Sequence, residues 1–211
     1  MNPQLRKQFI TLVRKRVQPG SGSNLQFLDT RTWNYPVTNI RNIIKTTPFV
    51  VVGGVATRLY MPERMTLDLD ILIMTSDALQ LYQELLAAGA TREGSLSIGI
   101  SSWRLPDNTI LNAIESDRPW AIEAIQNHNL SPDNLPIVPL PYLVVMKMQA
   151  SRTQDMSDIS RMLGGADEIT LDRVRIAVRN YCIDAVEDLE SLIQIGKLET
   201  KGQNRKFIKI R

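Results

Sequence analysis

Cysteine is almost absent from this chain: Cys182 is the only one in 211 residues. An intramolecular disulfide is therefore excluded, which suits a reducing cytoplasm. Cys182 itself reads as a small buried apolar residue. Histidine is equally scarce. His128 stands alone in Gln126-Asn127-His128-Asn129, a surface-loop context, so a histidine-based zinc site is not expected and no serine–histidine–acid pattern arises. No apolar run approaches the roughly 20 residues that span a bilayer. The N-terminus lacks a hydrophobic signal core, which predicts a cytoplasmic protein without export. Internal repeats and long low-complexity segments are also missing.

Acids are missing from both ends. Residues 1–20 hold Arg6, Lys7, Arg14, Lys15 and Arg16, and residues 201–211 hold Lys201, Arg205, Lys206, Lys209 and Arg211. Ten positive charges at the ends against an overall +3 leave the middle at −7. Basic ends on an acidic body point either to a polyanion such as RNA or to two solvated tails. The 43% hydrophobic and 22% charged residues are those of a globular domain large enough to bury a core.

Residues 4–17 read as a basic helix with Leu5, Phe9, Ile10 and Val13 on one face, followed by a break at Pro19-Gly20-Ser21-Gly22-Ser23. A helix is expected over 37–46. Phe49-Val50-Val51-Val52 is a buried strand entering a turn at Gly53-Gly54, with one or two helical turns over 55–61. Leu67 to Met74 is a second strand. Ser76 to Ala90 is a helix with Leu79, Tyr82, Leu85 and Leu86 as its apolar stripe. Residues 95–104 and 109–115 are strands joined through Pro106-Asp107-Asn108, and 117–127 is a helix. From Pro141 the pattern becomes all-helical, at about 141–151, 153–163, 170–180 and 182–195, with Gly164-Gly165 and Gly196 as stops. The expected organisation is α+β: a basic segment 1–26, a mixed core 27–135, a helical lobe 136–200 and a basic tail 201–211. Met146, Met148, Met156 and Met162 read as core, as do Trp33, Trp103 and Trp120.

The chemistry is concentrated in Val51-Val52-Gly53-Gly54, thirteen residues, then Asp68-Leu69-Asp70-Ile71. Residues two apart on a strand share a face. Asp68 and Asp70 therefore project together, with Leu67, Leu69, Ile71 and Ile73 on the other side. Paired carboxylates repel unless a cation sits between them, and magnesium prefers such oxygen ligands. A pair of such ions can clamp the attacking and leaving oxygens of a phosphoryl transfer. Gly53 and Gly54 leave backbone amides open to a phosphate, at a turn that opens a helix. Thr66 lies two residues before Asp68, where its hydroxyl could bond a phosphate. Arg64 either pairs with phosphate or forms a plain salt bridge to the aspartates.

These residues resemble the nucleotidyltransferase superfamily, and more narrowly the AbiEii-type and MNT-type toxin nucleotidyltransferases. The likeness spans roughly residues 48–163. It includes Arg64-Met65-Thr66-Leu67-Asp68-Leu69-Asp70 and a later array of Lys147, Arg152, Asp155 and Asp158. It implies a small mixed sheet with a C-terminal helical lobe, and a magnesium-dependent transfer of a nucleoside monophosphate from an NTP such as ATP. The implied acceptor is a tRNA end or a protein hydroxyl, in some cases within a toxin–antitoxin pair. Asp68, Asp70 and Lys147 would be catalytic. Gly53, Gly54, Arg64, Thr66, Lys147, Arg152 and Asp155 would bind nucleotide.

The chain departs from that pattern in one place. The superfamily's third carboxylate falls on Asn112, and an amide is a weaker metal ligand and no base. Glu115 lies on the opposite strand face, and Asp117 is further off. Either two acids suffice, another group substitutes, or the chain is an impaired nucleotide-binding or regulatory module. Lys147, on an apolar helix, should either reach solvent or meet an anion. Arg152, Asp155 and Asp158 would position it or the metal, or form a solvated face.

Overall fold

A computed structural model describes residues 2–22, 40–61, 66, 68–97 and 99–202. The chain forms two compact units. One comprises residues 32–56 and 64–139; the other comprises 1–31, 57–63 and 140–211. The first is mixed α/β and the second is helical.

The mixed unit is a seven-stranded sheet in the order β3-β4-β5-β2-β1-β7-β6. Its strands are β1 (Val50–Val52), β2 (Asp68–Ile73), β3 (Thr91–Ser97), β4 (Ile100–Arg104), β5 (Ile110–Glu115), β6 (Asn129–Leu130) and β7 (Pro136–Ile137). The central strands β1, β2 and β5 are β-branched and Leu-rich because both their faces are covered. Val50, Val51, Val52, Ile71, Leu72, Leu111 and Ala113 are fully buried. β2 runs antiparallel to β1 and parallel to β5, so Asp70 is flanked by Val52 on one side and Asn112 on the other. A five-residue helix, α2 (Gly53–Thr57), follows β1 directly.

The turn after β4 forms as its residues require. Asn108 adopts φ 68°, a left-handed value that asparagine tolerates, and the Asp107 carboxylate accepts from the Thr109 amide at 3.0 Å. Residues 95–104 are not one strand. They are parts of β3 and β4, which form their own hairpin with register shifts near Gly94 and Ser97. In α3 (Ala78–Ala87) the buried stripe is Ala78, Leu81 and Leu85. Leu85 is buried and Tyr82 half-buried as expected, but Leu79 is 76% exposed and Leu86 59%, so the buried stripe is turned by about a quarter turn from the expected one. The helix expected over 37–46 is a single 3-10 turn, Ile40–Asn42. Val37 and Trp33 lie outside the described residues. α4 (Pro119–Gln126) starts on proline at N1, where the missing amide costs nothing.

The helical unit holds α1 (Pro3–Arg16), α5 (Leu140–Ala150), α6 (Thr153–Gly164), α7 (Glu168–Tyr181) and α8 (Val186–Glu199). The Asn2 side chain caps α1 and the Asp167 side chain caps α7. α1 is no loose tail. Arg6 is 3% exposed, and its guanidinium donates to Asp188 at 2.6 Å and to Ser151 at 3.1 Å. Gly165 caps α6 as expected. Gly196, expected as a stop, lies inside α8. A Cβ there would sit 1.9 Å from the Ser160 carbonyl oxygen, and one on Gly164 would sit 2.3 Å from the Gly196 carbonyl oxygen. The glycines let α6 and α8 touch backbone to backbone. Cys182, Met148, Met156 and Met162 are buried, as are Trp103 and Trp120 of the mixed unit. Among the described residues, no helix is long and apolar enough to cross a membrane.

Candidate active site

The carboxylates on β2 stand where strand alternation puts them. Asp68 is exposed and Asp70 half-buried, while Leu69, Ile71 and Ile73 between and beyond them are buried. The neighbouring strand β5 brings Asn112 into register with Asp70. Its Nδ2 donates to Asp70 Oδ1 at 2.9 Å and to Asp68 Oδ2 at 3.4 Å. One amide group thus bridges both acids. Its Oδ1 is buried and accepts no hydrogen bond. The Thr66 hydroxyl donates to Asp68 Oδ1 at 3.0 Å, from two residues upstream on the same side.

The glycines close the other flank. Gly53 adopts φ +64°, a conformation that favours glycine. A Cβ there would lie 2.0 Å from Asp70 Oδ2, and one on Gly54 would lie 2.9 Å from Thr66 Oγ1. The pair therefore makes room for the chain's own acid and hydroxyl. Any access it gives to a phosphate is additional. Gly53, Gly54, Thr66, Asp68, Asp70 and Asn112 form one constellation around β2.

Glu115 lies on the other face of β5, as its odd spacing from Asn112 demands. There it accepts from the Tyr82 hydroxyl, beneath a tilted Tyr82–Trp103 ring pair 5.1 Å apart. Burial first, then the Glu115 bond, pushes the Tyr82 hydroxyl above its usual range. Arg64 lies outside the described residues. Among the described residues, no three His, Cys, Asp or Glu side chains cluster for a metal. The third member of the β2 group is an amide.

Lys147, Arg152, Asp155 and Asp158 form a separate group in the helical unit. Lys147 is 5% exposed. It meets an anion rather than solvent, and the anions are the chain's own. Its ammonium donates to Asp155 at 3.1 Å and to Asp158 at 2.7 Å. Arg152, at the start of α6, adds a bond to Asp155 at 2.8 Å. Burial acts to raise the Asp155 carboxyl, but Arg152 and Lys147 outweigh it and hold the group below the usual carboxylate range. Lys147, Asp155 and Asp158 are buried, and Arg152 alone of the four is solvated. A phosphate reaching Lys147 would have to displace a carboxylate.

Arg6 carries no signal that sets it apart from the other basic residues of α1. Its core position follows from the acids Asp184 and Asp188, about 180 residues away.

No family model and no curated protein matches this chain. Among solved structures, it is similar to ANT(2″)-Ia in complex with adenylyl-2″-tobramycin, at 14% identity and TM-score 0.42, covering 71% of this chain and 88% of that one. It is also similar to the Cid1 poly(U) polymerase, at 18% identity and TM-score 0.29, over 77% of this chain and 46% of that one. A third is terminal uridylyl transferase 4 from Trypanosoma brucei with bound GTP, at 10% identity and TM-score 0.29, over 94% and 70%.

Proposed function

We propose that this chain is a magnesium-dependent nucleotidyltransferase, moving a nucleoside monophosphate from an NTP to a hydroxyl of RNA or protein. The observation that carries this reading is the Asp68–Asp70 pair, held side by side against Gly53 with only an amide between the acids. The two carboxylates present oxygens on one face of β2, with Asp68 exposed and Asp70 half-buried. Oxygen donors of this kind fit a divalent ion. The orphaned Asn112 Oδ1 is a third oxygen, and rotation of the amide about its last torsion would exchange it with Nδ2. Magnesium, when bound, would withdraw charge from the phosphates during transfer.

In the reaction, the acceptor oxygen bonds to the α-phosphorus. The bond from that phosphorus to the β-bridging oxygen breaks, and pyrophosphate leaves with its electron pair. Asp68 and Asp70 would hold the cation, with Thr66 fixing the orientation of Asp68. Gly53 and Gly54 would keep the backbone close enough for phosphate approach. Asn112 cannot take the acceptor's proton, so that proton passes to solvent or to the acceptor's own groups. Lys147, Arg152 and Asp155 take a structural part, because together with Asp158 their charges balance, two against two.

The exposed Arg14, Lys15 and Arg16 at the end of α1 give an RNA acceptor an electrostatic foothold. Most of the basic tail, residues 203–211, lies outside the described residues. A role within a toxin–antitoxin pair belongs to this reading only through the family resemblance.

The test is labelling with each α-³²P-NTP, magnesium, and either total tRNA or a lysate, beside Asp68→Ala/Asp70→Ala. Label in RNA or protein that vanishes in the variant supports transfer and names the acceptor class. Asn112 favours a second reading, a nucleotide-binding module without turnover. Nucleotide binding without label in any arm selects it.

A further inference from the structure

At the opposite end of β1 from Gly53, the mixed unit has a second pocket, of about 330 Å³. Its floor is apolar, with Ile44, Phe49 and Ile125 all at most 8% exposed. Its rim carries Arg41, Lys45 and His128, and among the described residues no acid lines it. Arg41 and Lys45 are four residues apart on either side of a turn pinned by the buried Ile40 and Ile44, so they stand on the same side of it. Neither side chain has an acidic partner among the described residues.

The loop that carries Lys45 is held by a carboxylate through its backbone. Glu84 of α3 accepts from the backbone amides of Lys45, Thr46 and Thr47 at 2.9, 2.8 and 3.2 Å, and from the Thr46 hydroxyl at 2.9 Å. Four donors fix the loop and saturate the acid. His128 is oriented too. Its Nδ1 lies 2.9 Å from the Ile125 carbonyl oxygen. A carbonyl only accepts, so the proton sits on Nδ1, and Nε2 offers a lone pair to a donor such as a ligand hydroxyl. The phosphate-binding part of the rim is therefore the Arg41 guanidinium and the Lys45 ammonium, above a hydrophobic base. A phosphate dianion matches these two cations, and the guanidinium fork suits its oxygens. The floor suits an apolar or aromatic body, and the volume falls at the small end of ligand pockets.

We propose that this pocket binds an organic phosphate monoester with an aromatic body, at a site separate from Asp68 and Asp70. The inference stands independently of the transfer reaction. The experiment uses the full chain without added magnesium, titrated with phenyl phosphate and, separately, inorganic phosphate, and followed by amide ¹H–¹⁵N shifts. Phenyl phosphate should move the amides of residues 41–49 and 125–128 and bind at least tenfold more tightly than inorganic phosphate. Arg41→Ala/Lys45→Ala should weaken phenyl phosphate at least tenfold while leaving the melting temperature unchanged, since both side chains are exposed. Asp68→Ala/Asp70→Ala should bind it as the unmodified chain does. Absence of shifts in the pocket, equal affinity for the two phosphates, or unchanged binding by the Arg41/Lys45 variant overturns the proposal.

Discussion

The chain places two pairs of aspartates next to nitrogen donors, and treats them in opposite ways. In the helical unit, Asp155 and Asp158 face Lys147 and Arg152, two charges against two, with both acids at most 1% exposed. In the mixed unit, Asp68 and Asp70 face a neutral amide, partly open to solvent. A buried, balanced network is closed to new ligands, because any newcomer must break an existing pair. A pair partly open to solvent leaves carboxylate oxygens that a newcomer can reach. The Asp-x-Asp and Asp-x-x-Asp patterns look alike as sequence; exposure differs, with Asp155 and Asp158 closed from solvent and Asp68 open to it.

Removing an acid should therefore have opposite consequences in the two places. Asp70→Ala should lower transfer by roughly 10³-fold or more, the scale of losing several kcal/mol of charge stabilisation. Its melting temperature should hold or rise, because a repelling carboxylate has gone. Transfer rate and thermal melting on the same preparation check both. A variant that unfolds while the labelling rate of its folded fraction persists would make β2 scaffold instead.

Lys147→Met should do the reverse. It removes the ammonium from both acids, while Arg152 stays on Asp155 at 2.8 Å and Gln154 on Asp158 at 3.2 Å. Stranding buried charge typically costs about 3–5 kcal/mol. Urea denaturation should show that loss, and nucleotide affinity should be unaffected in the folded fraction. A stable variant with weakened triphosphate binding would return Lys147 to the nucleotide.

Glycine supports the comparison on the backbone side. Gly196→Ala forces a Cβ against the Ser160 carbonyl and should destabilise by about 1–3 kcal/mol, with no direct effect on transfer. Gly53→Ala adds left-handed strain and a clash with Asp70 Oδ2. It should impair transfer through Asp70 as well as stability. Equal activity losses per unit of lost stability in the two variants would remove the distinction.

Much of the β2 constellation could be read before the fold was known. Alternation put Asp68 and Asp70 on one face, and the family resemblance put its third position on Asn112 of the strand over 109–115. The register Asp70–Asn112 is that reading made spatial. What escaped was partnership over long sequence distances. Lys147 and its acids were visible as a group, yet nothing local distinguishes a phosphate-facing lysine from one closed by its own helix pair. Arg6 looked like one charge in a basic tail because Asp188 is 182 positions away. Gly196 looked like a helix stop because its close contact, α6, is nonlocal. Arg41, Lys45 and His128 share no pattern at all until β1 and α4 bring them to one rim.

A third acid, Glu84, sharpens the comparison from an unexpected side, since it is neither an open site nor part of a balanced ion pair. Burial acts to raise its carboxyl, but the donors of Thr47, Thr46 and Lys45 prevail and hold it at about 2, against an ordinary 4.5. The folded value lies below the unfolded one. Its stabilisation is therefore complete above about pH 4.5 and is lost as pH falls toward 2. Glu84→Gln keeps the shape and removes the charge, so it should cost about 1 kcal/mol at pH 7. Urea denaturation of both proteins across the acid range should show that difference shrinking as the native carboxyl protonates. A gap of the same size at pH 7 and pH 2 would mean that shape alone, and not the anion, holds the loop beneath Arg41 and Lys45.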